Sequence, residues 1–173
     1  MSGLVPICLF IDLYDPKTNS IEERFQNGDP VNAISFNSPA FGTSVYKYLS
    51  FLYSGATQTK SGDNLEASLV LANTSTLRDG SSTTNKLSMN YAQDAVNNGW
   101  CVYVHVCKMN TAFTTVEDVI STDCWNVTSM GYDSSNIEVM LSTGVDAVGG
   151  NIGRFLTSSL VGHLPITGTI RTK

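Results

Sequence analysis

Along most of this chain apolar and polar residues alternate with a period of two, the signature of strands. The stretch VYKYLSFLY (45–53) puts Tyr46, Tyr48, Ser50 and Leu52 on one side and Val45, Lys47, Leu49, Phe51 and Tyr53 on the other. Both sides are largely apolar, which predicts one strand covered twice. VPICLFIDL (5–13) reads as a strand bounded by Pro6 and the Asp15-Pro16 turn signal, and IEERFQ (21–26) is predicted to pair back on it across YDPKTNS. Asn27-Gly28-Asp29-Pro30 marks another turn. VNAISF (31–36) sets Val31, Ala33 and Ser35 against Asn32, Ile34 and Phe36, and 37–44 reads as loop. SGATQTKSGDN (54–64) reads as a flexible loop, LEASLVLAN (65–73) as a strand, and TSTLRDGSSTTN (74–85) as a weakly ordered surface loop.

The period changes once. Between 86 and 97 Leu87, Tyr91 and Ala95 recur every four residues, with Met89, Ala92 and Val96 in neighbouring rows. A helix is predicted there, lying across an open sheet face or plugging a barrel end. Thr84, Asn85 or Ser88 is expected to cap its start and Asn98-Gly99 to end it. WCVYVHVCKM (100–109) is the strongest strand signal. VEDVISTDCWNVTSMGYD (116–133) predicts one bent strand or two, joined by YDSSN in a hairpin with NIEVMLST (136–143). The remainder, including GVDAVGGNIGRFLTSSLVGHLP, is Gly-rich and patterned for neither helix nor strand. The expected architecture is mainly β and antiparallel, a barrel or sandwich of about seven to nine strands with one short helix. Residues 1–143 form its body. Residues 144–173 form an extended C-terminal arm expected to pack on neighbours.

The 100–109 stretch raises the question of a metal, since it holds two of the four cysteines and one of the two histidines. On a strand Cys101, Tyr103, His105 and Cys107 point one way and Val102, Val104 and Val106 the other. At about 3.3 Å per residue, Cys101 and Cys107 lie about 20 Å apart, too far to share an ion held by bonds of about 2 Å. Only His105 and Cys107 are near enough, and two further ligands would have to come from elsewhere. The valines are expected to face the core and Tyr103, His105 and the cysteines a less apolar side. Cys8, Cys101, Cys107 and Cys124 show no Cys-x-x-Cys spacing and are read as free, buried thiols.

Other chemistry is equally sparse. Ser158 or Ser159 with His163 has no nucleophile-elbow context. VGGNIGR (148–154) lacks both the dinucleotide-binding spacing and a Gly-Lys-Ser/Thr, and reads as a turn. Glu117, Asp118 and Asp123 could hold calcium weakly but read as a solvated face, and Glu22-Glu23 as a wet edge that discourages stray strand pairing. No catalytic, cofactor-binding or metal-binding residue is assigned, and no cofactor is expected.

Composition sharpens this. Charged residues make up only 14 % of the chain, with Ser, Thr and Asn in their place. Such a surface suits packing against partners. The net charge is −5. It is uneven: residues 1–141 hold seven bases against fourteen acids, whereas 142–173 hold Arg154, Arg171 and Lys173 against Asp146. There is no basic patch to grip duplex DNA; a mildly acidic wall lets DNA slide past. No export leader is expected, since LVPICLFI is short, lacks a basic start and runs into Asp12. No apolar run reaches the roughly 18 residues a membrane span needs. The sequons at Asn73 and Asn126 are read as chance.

The order of the segments resembles the N-terminal part of the minor tail protein L family of lambda-like tailed phages. VPICLFIDLYD (5–15) is similar to that family's opening strand with its IDL element, and FQNGDPVNAISF (25–36) to its next hairpin with a GDPV turn. LEASLVLAN (65–73) resembles its strand ending in a VSN-like triplet, and AQDAVNNGWCVYVHVC (92–107) its short helix, small-residue turn and long strand. DVISTDCWNVTSMGYDSSNIEVMLST (118–143) resembles its hairpin, and IGRFLTSSLVGHLP (152–165) the segment after it. The resemblance spans most of the chain as an ordered series of short matches. NSPAFGTSVYKY (37–48) departs from it, as does the lack of the cysteine-rich extension that ligates an iron–sulfur cluster in full-length members, so no cluster is carried over.

The resemblance implies a non-enzymatic virion protein of the tail tip or baseplate hub, located in the phage tail and in host cytoplasm during assembly. It implies a homotrimer linking the distal tail ring to the central hub or spike, contacting other tail-tip proteins. It also implies a channel that passes DNA or the tape-measure protein without specific binding. The competing readings are a hexameric tail-ring or adaptor protein and a carbohydrate-binding β-sandwich, the latter resting on Tyr46, Tyr48, Trp100, Tyr103 and Trp125 as candidate exposed aromatics.

Overall fold

The computed structural model describes residues 5–58, 65–74 and 87–143. The chain is mainly β. Strands β1 (Ile7–Asp15), β2 (Ser20–Gln26), β3 (Ile34–Ser38), β4 (Gly42–Tyr48), β5 (Phe51–Tyr53), β6 (Thr57–Gln58) and β7 (Leu65–Ala72) precede helix α1 (Ser88–Asn98). Strands β8 (Cys101–Met109), β9 (Val116–Tyr132) and β10 (Asn136–Ser142) follow it. They form one curled sheet in the order β3-β4-β2-β1-β8-β9-β10-β7-β5, with β6 also paired to β7. Every pairing is antiparallel except β2 with β4, where Phe25 and Gln26 lie beside Lys47 and Tyr48.

The β1–β2 and β9–β10 hairpins and the helix form where the sequence pattern places them. Gly99 ends α1 in the left-handed conformation (φ 66°), with the Trp100 N–H donating to the Ala95 carbonyl at 2.9 Å. The start of α1 differs from expectation. Leu87 is the cap position and offers no side-chain bond, and Thr84 and Asn85 lie outside the described residues. Ser88 instead anchors the helix to the end of β7: its hydroxyl donates to the Ala72 carbonyl (2.9 Å) and accepts from the Thr74 N–H (3.0 Å).

Two cores explain why β1 and β8 are apolar on both faces. Ile11, Leu13, Val102 and Val104 point into the larger one, which α1 closes with Tyr91, Ala92 and Ala95. Cys8, Phe10, Cys107 and Met109 point into a smaller one beneath the β3–β4 hairpin, where Ile34, Phe36 and Tyr46 meet them. The molecule is thus sandwich-like: a wide sheet with a helix on one face and a two-stranded flap on the other. The sheet does not close into a barrel.

Several expectations require correction. Residues 37–44 are not a loop, because β3 runs to Ser38 and β4 begins at Gly42, the two joined by a tight turn. The single strand expected over 45–53 breaks at Leu49–Ser50. Tyr46 belongs to the smaller core and Leu49 and Phe51 to the larger, so the run leaves β2 and joins β7 at the far end of the sheet. At that end it is covered on one side only, and Leu52 is 72 % exposed. Residues 116–133 are one strand, kept whole by register shifts opposite Val106/Cys107 and Lys108/Met109. Among the described residues the strands number ten, through the split at 49–50 and the two-residue β6. The arm over 144–173 lies outside the described residues.

Candidate functional site

The polar centre of the molecule grows from an aspartate in an otherwise apolar strand. Asp12 shares a face of β1 with Cys8 and Phe10 and is fully buried. Across the β1–β8 ladder its register partner is Tyr103, and Phe10 lies opposite His105, so His105 is its diagonal neighbour. The β3–β4 flap brings Ser38 and Tyr46 over the pair, and β2 adds Arg24 from the side. Asp12 Oδ1 accepts from the Tyr46 hydroxyl (2.8 Å) and from Arg24 Nε (3.0 Å). Asp12 Oδ2 accepts from the Ser38 hydroxyl (3.0 Å) and from His105 Nε2 (2.9 Å). The four donors match the roughly four lone-pair positions of a carboxylate.

The charge is held firmly. Burial alone pushes the Asp12 carboxyl up, but the hydrogen bonds from His105, Tyr46 and Ser38 and the electrostatic pull of His105 outweigh it, so the net shift is below the ordinary carboxylate value. Burial and the Asp12 charge push the Tyr46 phenol up, keeping it a donor.

Serine, histidine and aspartate together suggest a nucleophilic triad, and the geometry answers that. A triad needs the imidazole as a bridge, with serine on one nitrogen and the carboxylate on the other. Here Ser38 Oγ (3.2 Å) and Asp12 Oδ2 (2.9 Å) both sit on Nε2, while Nδ1 faces Thr122 Oγ1 at 2.9 Å. Ser38 donates to the carboxylate and is itself buried. The cluster therefore acts as a clamp that ties the flap to β1, β2, β8 and β9. His105 has both nitrogens engaged in it, and among the described residues no three His, Cys, Asp or Glu side chains converge as metal ligands.

Two further polar chains tie distant strands. Trp125 Nε1 donates to the Tyr53 hydroxyl (2.7 Å), which donates to Asp123 Oδ2 (2.9 Å), fixing β5 across the larger core to β9. The Tyr91 hydroxyl and Lys47 Nζ both reach Glu23 Oε2 at 2.9 Å. Glu23 is thus a junction of helix, β2 and β4, whereas Glu22 alone keeps the expected wet position.

The residues singled out in the sequence are dispersed. Cys101, Tyr103, His105 and Cys107 do share one face of β8, opposite Val102 and Val104. Cys8 and Cys107 lie opposite each other, buried and free, with thiols pushed up by burial to about 11 and about 12. Cys101 is half-buried and Cys124 is exposed, which corrects the expectation of four buried thiols. Glu117 pairs with Lys108 at 2.7 Å and Asp123 serves Tyr53, so Glu117, Asp118 and Asp123 are not one carboxylate cluster. Of the aromatics, Tyr46, Trp100 and Trp125 are core, while Tyr103 is half-buried and edges onto Tyr14 and Phe41. Ser158, Ser159 and His163 lie outside the described residues. The clamp escaped sequence reading because Asp12 and His105 are 93 positions apart. The available signal was a lone Asp in a strand with no polar alternation.

The larger core offers no ligand chamber: between α1 and the sheet the free space is ≈ 20 Å³, lined by side chains such as Leu69, Tyr91 and Val102. That is about the room one water needs, in an apolar setting. Among the described residues, β3 pairs only with β4, and β9 meets β10 only from Asn126 onward, so that 116–125 pairs with β8 alone. No helix of the described residues is long and apolar enough to cross a membrane. No protein-family model matches the sequence, and no curated protein matches it.

Proposed function

We propose that the chain is a structural subunit of a phage tail tip or baseplate hub. It would join the distal tail ring to the central hub or spike and help line the channel for DNA or the tape-measure protein. The observation that carries the reading is the pairing of an internally clamped body with strand edges that have no partner among the described residues. The buried polar groups described above are engaged in holding layers together, while β3 and residues 116–125 of β9, each paired on one side only among the described residues, offer backbone to another strand. A chain with only 14 % charged residues suits broad contacts with identical neighbours, and the net charge of −5 suits a lumen that does not grip DNA. The ordered resemblance to the tail protein family supplies the place in the particle.

The test is direct. Tail particles purified from a phage encoding the chain, analysed by quantitative mass spectrometry, should contain it at a copy number that is a multiple of three. Native mass spectrometry of the isolated assembly should give a trimer. A chain found only in the unassembled lysate refutes the proposal.

A further inference from the structure

The chain holds two Asn-Gly dipeptides, Asn27-Gly28 and Asn98-Gly99. Such a pair is chemically labile. With no Cβ on the second residue, its backbone nitrogen can reach the carbonyl carbon of the Asn side chain. Both asparagines are half-buried, so exposure does not separate them. Their hydrogen bonds do.

Asn27 is locked at both reacting atoms. Its Oδ1 accepts from the Leu9 N–H (2.8 Å) and the Cys8 thiol (3.6 Å), and its Nδ2 donates to the Phe51 carbonyl (3.2 Å). The side chain thus splices β1 to β5. The Gly28 N–H donates to Oε1 of the fully buried Gln26 at 2.6 Å. The Cys8 sulfur fills the space over Gly28, where a Cβ would lie only 2.6 Å from it. Ring closure at Asn27 therefore requires β1, β5 and the turn after β2 to part. Asn98 is the last residue of α1. Among the described residues its side-chain amide has no hydrogen-bond partner. The Gly99 N–H is shared between the Ala95 and Val96 carbonyls, the latter at 3.4 Å, and a Cβ on Gly99 would meet nothing. Helix ends open at little cost, whereas bonds inside a core open only with much of the fold.

We infer that Asn98 is a site of spontaneous deamidation and isoaspartate formation, and that Asn27, with the same sequence signal, is not. The Gly99 nitrogen gives its proton to solvent and bonds to Asn98 Cγ. The Cγ–Nδ2 bond breaks, and Nδ2 takes up a proton and leaves as ammonia. A succinimide ring remains. Water opens it at either carbonyl, giving aspartate or, with the main chain rerouted through the side chain, isoaspartate. The net change is one water in and one ammonia out. Either product acts on α1. A carboxylate arrives at the negative end of the helix, where the last turn holds no base and Asp94 stands four residues back. Isoaspartate also lengthens the main chain by one atom, beside the buried Trp100. The hold of α1 on the larger core thus loosens with age.

The test is an ageing series on the full chain at pH 8, with and without urea, read by peptide mapping and enzymatic isoaspartate detection. Without urea, Asn98 should convert at least about ten-fold faster than Asn27. In unfolding urea the two should convert at similar rates. Equal rates in the native chain, or an Asn98 shielded by the fold as strongly as Asn27, overturn the inference. Aged wild-type chain should melt earlier than fresh chain. Asn98→Gln, whose longer side chain closes the ring poorly, should keep its melting temperature over the same period. Equal losses in both proteins overturn the link between Asn98 and α1. The result is independent of whether the chain is found in tails.

Discussion

Replacing Asp12 by asparagine preserves the side chain's shape, so the outcome isolates the clamp's electrostatics from cavity effects. Each Asp12 oxygen accepts two donors, Tyr46 and Arg24 on one and Ser38 and His105 on the other. In Asp12→Asn one oxygen becomes an NH₂ facing two donors. Two bonds to a charged acceptor, each worth about 1.5–3 kcal/mol, are lost. Breaking a buried charge cluster by removing one member costs about 3–5 kcal/mol. With a urea dependence of about 2 kcal/mol per molar, the unfolding midpoint should fall by about 1.5–2.5 M. The pH arm is independent. The Asp12 carboxyl is lowered in the fold, so its contribution is fully present above its unfolded value near 4 and is lost as pH falls through the lower folded value. The wild-type chain should therefore lose more stability than the variant below about pH 4. Equilibrium urea titrations at pH 7 and in steps below pH 4 measure both effects. A midpoint shift under about 0.5 M at pH 7, or the same acid dependence in both proteins, would refute the reasoning.

Tyr53→Phe removes the hydroxyl between Trp125 and Asp123 and should cost about 1–3 kcal/mol by leaving buried groups unpaired, read by chemical denaturation. Gly28→Ala puts a Cβ 2.6 Å from the Cys8 sulfur and should lower stability by about 1–3 kcal/mol, with Cys8→Ala in the same chain recovering part of the loss of melting temperature. Thiol titration at pH 8 with a chromogenic disulfide should show Cys124 reacting first and Cys101 more slowly, with Cys8 and Cys107 silent until urea is added. Rapid labelling of either buried thiol in the native chain would contradict the smaller core.

Legibility in the sequence followed the range of the interactions. The β1–β2 and β9–β10 hairpins and α1 rest on local signals, Asp15-Pro16, YDSSN and Gly99, and these are decisive at short separation. The faces of β8 were equally readable, because alternation is a property of one strand. The break at Leu49–Ser50 was not, since 45–53 alternates smoothly throughout; what divides it is that two different cores claim its two ends. The clamp was hidden for the same reason. Ser38 sat in a presumed loop and Tyr46 among candidate exposed aromatics, and only the folding of β3–β4 onto β1 and β8 gives either a role.

The pairing of β1 with β8 joins residues about as far apart as Cys8 and Cys107, and both hydrophobic interiors share that ladder. Neither interior can therefore be completed on the ribosome until the stretch ending at Met109 has emerged. Closing so long a loop is entropically slow. Until β8 emerges, β1 lacks its ladder partner and the β8 side chains that complete both interiors, so a nascent chain stalled between β1 and β8 should expose apolar surface that the finished fold hides.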